Sequence, residues 1–263
     1  DIAIDAFRIE SAEPSLQGAM SAAYILGYRI ALLVAGAGAL YLAEFFDWNM
    51  AYRLMACLML LGMVTILSVA EPVREANARA ENNNFSGIHE LKDYFGKPRS
   101  GKGMLSRVFA SYWDPILDFF HRNGRFAFFL LLLIGCYRLS DITMGIMANP
   151  FYLDLGYSKV EIANIAKVFG FVMSIGGSAL GGILVVKWGI LKPLLLGGVL
   201  VAATNLLFAG LALIEPDWIH LAIVISADNL SGGLAATAFI AYLSSLTNTA
   251  YTATQYALFS SLM

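Results

Sequence analysis

Residues 25–42, "ILGYRIALLVAGAGALYL", carry one charge, Arg29, along their whole length. A run this long and apolar is built for hydrocarbon, because a helix needs about 20 such residues to cross a bilayer. It is not alone: similar runs recur along the chain, and of 263 residues 59% are hydrophobic while only 14% are charged. A water-bounded core does not need that much apolar material, so the chain belongs to the membrane class. A window of about nineteen residues predicts spanning helices near 16–43, 50–70, 126–149, 160–186, 191–214 and 219–246. The expected fold class is all-α and transmembrane.

Upstream of the first run stands "DIAIDAFRIE", residues 1–10. Asp1, Asp5 and Arg8 follow one another at spacings of four and three, which puts their side chains on one helical face. The stretch reads as the exit of a helix that begins earlier. The closing "ATQYALFSSLM", 253–263, reads as the opening of a helix that continues, so the chain is expected to be a fragment. "LQGAMS" at 16–21 and "TQYALFS" at 254–260 form a faint internal repeat, each following a short turn and opening a helix with Gln, one residue, then Ala.

Lys and Arg mark the cytoplasmic side of a membrane protein. Nine bases lie in 71–125, with Lys187 and Lys192 in one short loop and Arg8 in another, whereas the opposite loops hold Lys159 alone. Both ends and the 71–125 loop are therefore expected to be cytoplasmic. That loop is the one domain boundary: 1–70 reads as the end of one helical bundle, 71–125 as a linker, and 126–263 as a second, incomplete bundle. Within the linker, an amphipathic helix is expected near 114–121. Asp114 would be its N-cap, Pro115 its first helical residue, and Ile116, Leu117, Phe119 and Phe120 would rest against lipid headgroups. The nine bases are offset by seven acids, so the linker reads as solvated.

A charge at mid-membrane costs about 2.5–3.5 kcal/mol even on a lenient scale, so each one needs a partner, a wet cavity or a task. Arg138, Asp141, Gly145 and Asn149 form one stripe; Asn164, Lys167, Phe171, Ser174 and Ser178 form another; Asp228, Ser231 and Gly232 group on a third helix. Gln17, Ser21, Tyr24 and Tyr28 share a face of the first run. Arg138 and Asp141 could neutralise each other, and Lys167 or Arg29 could snorkel, but ionisable groups on several helices describe a shared polar cavity more naturally. Small residues such as Gly177, Gly181, Gly232 and Gly233 let helices approach closely. Cys57 and Cys136 read as buried small hydrophobes. His89, His121 and His220 are not spaced as metal ligands, and no catalytic constellation or nucleotide loop is present. No enzyme activity, cofactor, metal or nucleic-acid partner is expected.

The strings "DIAIDAFRIE", "GAMSAAYILGYRIALLVAGAGALYLAE" (18–44), "DPILDFFHRNG" (114–124), "LLLLIGCYRLSD" (130–141) and "ADNLSGGLAATAFIAYLSSLTNTAYTATQYALFSSL" (227–262) resemble the AmpG-type muropeptide permeases of the major facilitator superfamily. Acetyl-coenzyme A transporters are similar relatives. The resemblance implies twelve helices in two pseudo-symmetric six-helix halves, of which this chain holds the end of the fourth to the start of the eleventh. It also implies that the fourth, seventh and tenth helices line the cavity, carrying Asp1 and Asp5, Arg138 and Asp141, and Asp228. One departure is "GGILVVKWGILK" (181–192), where Val186 stands in place of the acid usual in the family's loop signature.

The expected function is proton-coupled import of anhydromuropeptides, in cell-wall recycling, across a bacterial inner membrane by alternating access. Arg138 and Lys167 would take substrate carboxylates, with Tyr24, Tyr28 and Asn164 as weaker contacts. The coupling proton would sit on Asp141, Asp228, Asp5 or Asp1. Expected partners are the lipid bilayer, protons and a small amphiphilic or anionic substrate, with the protein a monomer. The rivals are another permease of the superfamily, for acetyl-coenzyme A, a peptide or a siderophore, and a non-transporting membrane scaffold or sensor.

Overall fold

The computed structural model describes residues 2–11, 13–69, 104–248 and 251–262, with side chains described at all of these except 14, 36, 37, 40, 104–111, 159, 160, 163, 167 and 168. The regular elements among the described residues are all helices, with no strand among them. The first elements are α1 (Ile2–Ser11), a 3-10 turn (Pro14–Leu16), α2 (Gln17–Leu33), a π-helical turn (Val34–Gly38) and α3 (Ala39–Phe45). After α4 (Trp48–Ser68) come α5 (Met104–Asn123), α6 (Phe126–Tyr137) and α7 (Leu139–Asp154). The rest are α8 (Lys159–Ile162), a second π-helical turn (Ala163–Phe169), α9 (Gly170–Trp188), α10 (Leu191–Leu211), α11 (Trp218–Leu246) and α12 (Thr252–Ser261).

Five stretches are long and apolar enough to cross a membrane: Trp48–Ser68, Phe126–Asp154, Asn164–Trp188, Leu191–Leu211 and Trp218–Leu246. The 21 residues of α4 extend about 31 Å, the thickness of a hydrocarbon core. Only Ala51 of α4 is buried, whereas Met59, Leu61, Ile66 and Leu67 are 64–84% exposed. Apolar exposure on this scale suits lipid contact and not water. Cys57 and Cys136 share such exposed faces; the expected burial does not occur, because their helices turn those positions outward.

The span expected at 16–43 is a helix interrupted by the π-helical turn at "VAGAG". Two glycines within five residues weaken the intrinsic preference for regular α-helical winding there. The span expected to stop at 149 continues to Asp154 with Pro150 inside it; apolar spans tolerate proline when neighbouring groups satisfy the freed carbonyl. The linker helix also begins earlier than expected, at Met104, which places Pro115 inside α5. Asp114 is therefore no N-cap. Nor do all the expected headgroup residues face outward. Phe119 is fully buried and meets Phe259 edge to face at 5.0 Å, while Phe120 is exposed. Gly124, at φ 52°, ends α5 by a backbone bond from its N–H to the Phe120 oxygen of 2.8 Å, the left-handed closure that glycine makes without strain.

Two compact units divide the chain. One is drawn from Asp1–Glu13, Val73–Ile142 and Leu243–Met263, the other from Pro14–Pro72 and Thr143–Tyr242. In the second unit glycines set the packing. A Cβ on Gly182 would lie 2.6 Å from Ala22 Cβ, and one on Gly18 2.5 Å from Val185 Cγ1, so α2 and α9 meet backbone to backbone. On another side of α9, a Cβ on Gly177 would collide with the Leu230 carbonyl, and one on Gly233 of α11 with the Ser174 carbonyl. Thr237 Oγ1 ties the same crossing by donating to the Ser178 oxygen at 3.2 Å. A hydrophobic cluster that includes Tyr152, Tyr157, Phe208, Leu221 and Ile225 fills this unit elsewhere.

Candidate functional site

In the first unit, α1 carries two buried ionisable side chains, Asp5 at 7% exposure and Arg8 at 3%. Their spacing of three brings Asp5 Oδ1 to 3.6 Å from Arg8 Nη2. Arg8 does more than neutralise its neighbour: Nη2 donates to Ser244 Oγ at 3.0 Å and lies 3.4 Å from the Tyr256 hydroxyl. Its guanidinium carbon is also 5.7 Å from the centre of the Tyr256 ring, within reach of a cation–π attraction. One cation thus joins three helices, since Ser244 ends α11 and Tyr256 belongs to α12. Removing one partner of a buried pair costs about 3–5 kcal/mol, because the survivor keeps a desolvated charge.

Arg138 and Asp141 belong to the same unit and stand at a break in the apolar stretch 126–154. Arg138 caps the C-terminus of α6, and Asp141 lies in the first turn of α7. Each charge suits its helix end, a cation beside exposed carbonyls and an anion beside exposed N–H groups. Both are half-buried. The expected stripe from Arg138 to Asn149 is thus divided between two helices, and Asn149 is exposed.

Asp228 sits in the second unit, half-buried on α11, where Thr204 Oγ1 of α10 donates to its Oδ1 at 3.1 Å. Tyr24 is half-buried; Tyr28 is 60% exposed, and Asn164 is exposed as well. The π-helical turn at 163–169 explains why Asn164 parts from Ser174 and Ser178, which are 1% exposed each. Its wider winding shifts the register of the stripe. Lys167 lies in that turn with its side chain outside the described residues, and Asp1 lies outside them altogether. Among the described residues no three His, Cys, Asp or Glu side chains are placed to hold a metal.

The sequence reading found Asp5 and Arg8 by their spacing but missed Ser244, Tyr256 and Thr204. Hydroxyls in apolar helices are common, and nothing in their spacing marks these three. Tyr256 did carry one signal, its place beside Gln255 in the faint repeat.

The family model described as Major Facilitator Superfamily matches residues 2–263. "Putative transporter AmpG 4" of Rickettsia felis is 35% identical over 263 residues, covering 99% of this chain and 58% of that protein. The protein of the same name from Rickettsia conorii has the same identity and coverage. "Putative transporter AmpG 1" of Rickettsia prowazekii is 30% identical over 282 residues, covering 100% of this chain and 62% of the relative. The chain thus spans about three fifths of the length of these curated relatives. Their names are those of transporters, not enzymes.

Proposed function

Because this chain belongs to the major facilitator superfamily, we propose that it forms part of a proton-coupled secondary transporter of the bacterial inner membrane, importing anhydromuropeptides by alternating access. Residues 1–70 would end one six-helix half and 126–263 would begin the other, joined through 71–125. Both ends and the joining segment would be cytoplasmic, as the bias of Lys and Arg requires. The relatives carry the name of putative AmpG transporters, and the substrate class is the one implied by the resemblance of the motifs at 1–10, 114–124 and 227–262 to that family.

The observation that carries the reading is the buried Arg8, held by Asp5 on its own helix and by Ser244 and Tyr256 on two others. On the proposed division α1 belongs to one half and α11 and α12 to the other, so Arg8 is a latch between halves. With Asp5 ionised, the guanidinium has its counter-charge and can remain dry. A proton on Asp5 removes that charge, and two neutral hydroxyls cannot replace it. The latch then opens to water. Asp141, Asp228 and Asp1 are further proton carriers on this reading. Arg138 and Lys167 would receive the peptide carboxylates of the substrate, with Tyr24, Tyr28 and Asn164 at the margins.

The test is uptake of a labelled anhydromuropeptide by the full-length protein in proteoliposomes under an imposed proton gradient. Unlabelled acetyl-coenzyme A, short peptides and a siderophore serve as competitors. Gradient-driven accumulation displaced only by muropeptides supports the proposal. Displacement by another competitor assigns the transporter to that substrate, and absence of uptake of every compound favours a scaffold or sensor.

A further inference from the structure

A second polar cluster lies in the same unit, outside the mechanism above. Gln255 of α12 is wholly buried, yet its amide has all four hydrogen-bonding positions filled. Nε2 donates to the Pro115 carbonyl at 2.8 Å and to Asp118 Oδ2 at 2.9 Å. Oε1 accepts from the Asn248 backbone N–H at 2.8 Å and from Arg122 Nη2 at 3.3 Å. Asp118 Oδ2 also accepts from Asn248 Nδ2 at 3.0 Å and stands 3.2 Å from Arg122 Nε. Arg122 Nη2 closes the cluster by donating to the Leu246 carbonyl at 2.8 Å.

A saturated buried amide fixes the rotation of its helix, because turning α12 breaks several bonds at once in a poorly hydrated place. The residue after Gln255, about 100° further round the helix, is Tyr256, whose hydroxyl and ring engage Arg8. We propose that Asp118 is a positioning residue for the Arg8–Tyr256 contact. It acts through Gln255, so that α5 sets the strength of the latch. The proposal rests on the latch reading of Arg8 but not on the identity of the substrate.

Amide hydrogen exchange of the full-length protein in lipid nanodiscs, read at residues 2–11, tests it without substrate. Asp118→Ala should raise exchange of 2–11 about tenfold, as expected when a local opening becomes easier. Asp118→Asn, which keeps an oxygen for Gln255 and Asn248, should leave it near wild type. Tyr256→Phe should raise it comparably, and the Asp118→Ala/Tyr256→Phe double variant no further. Unchanged exchange at 2–11 in a folded Asp118→Ala protein overturns the proposal, as do additive effects in the double variant. If Asp118→Ala fails to fold, Asn248→Ala is the milder probe. It removes one donor to Asp118 and should give the same pattern at smaller amplitude; wild-type exchange at 2–11 there overturns the proposal too. Absence of muropeptide uptake by the wild-type protein, together with the predicted exchange pattern in the variants, would reject the substrate while keeping Asp118 in its role.

Discussion

Arg8 shows how much one side chain can be asked to join. Its planar guanidinium meets a carboxylate, a serine hydroxyl and a tyrosine ring and hydroxyl, a set that the point charge of lysine cannot reproduce. Asp5 and Arg8 were legible because charge is rare in apolar sequence and their spacing is helical. Ser244, Tyr256 and Gln255 were not, because burial and partners decide their roles and neither is written in local pattern. A different residue-scale device lies between α7 and α8. Glu161 Oε2 accepts from the Ser158 hydroxyl at 2.7 Å and from its backbone N–H at 2.9 Å, and the Glu161 N–H donates back to Ser158 Oγ at 3.2 Å, a capping box. The Ser158 hydroxyl first, then its N–H, holds the Glu161 carboxyl below its ordinary value of 4.5. The stabilisation is therefore present above pH 4.5 and is lost as pH falls through the lower folded value. Thermal unfolding of wild type and Glu161→Gln should diverge above that pH and converge in stronger acid; curves that stay parallel throughout contradict the assignment.

Among the elements, α9 is the one most constrained by its neighbours. Its glycines face α2 on one side and α11 on the other. Gly177→Ala should destabilise the protein by about 1–3 kcal/mol, the usual cost of overpacking a close contact, because its Cβ has the Leu230 carbonyl in its way. Gly210→Ala in α10 has nothing within 4 Å of the added carbon. It should be neutral or stabilise by up to about 1 kcal/mol through helix propensity. Thermal unfolding in detergent separates the two, and equal losses contradict the packing account. Spans were legible to within a few residues wherever apolar runs were unbroken. The π-helical turns, the helix continuing through Pro150 and the early start of α5 were not, because each depends on what packs beside the backbone. Phe119 is the clearest case. Its amphipathic pattern is the same whether it faces headgroups or Phe259, and only tertiary contact selects the second.

For the whole molecule, membership in the superfamily follows from a match over residues 2–263, while the chain spans about three fifths of the length of the relatives described above. The proposed transport cycle therefore belongs to the full-length protein, to which this chain would contribute the Arg8 latch and the acids proposed as proton carriers. The class of the fold was open to reading because hydrophobic runs of bilayer length have few other uses. The grouping of charges was less so: Asp5, Arg138 and Asp141 fall in one compact unit and Asp228 in the other, a partition that spacing along single helices does not encode. The most direct test of the latch compares two modes of transport by Asp5→Asn in proteoliposomes: accumulation driven by a proton gradient and exchange of labelled for unlabelled substrate without one. The account predicts that gradient-driven accumulation falls at least about tenfold, a change worth roughly 1.4 kcal/mol, while exchange persists. Undiminished accumulation under the gradient would contradict it.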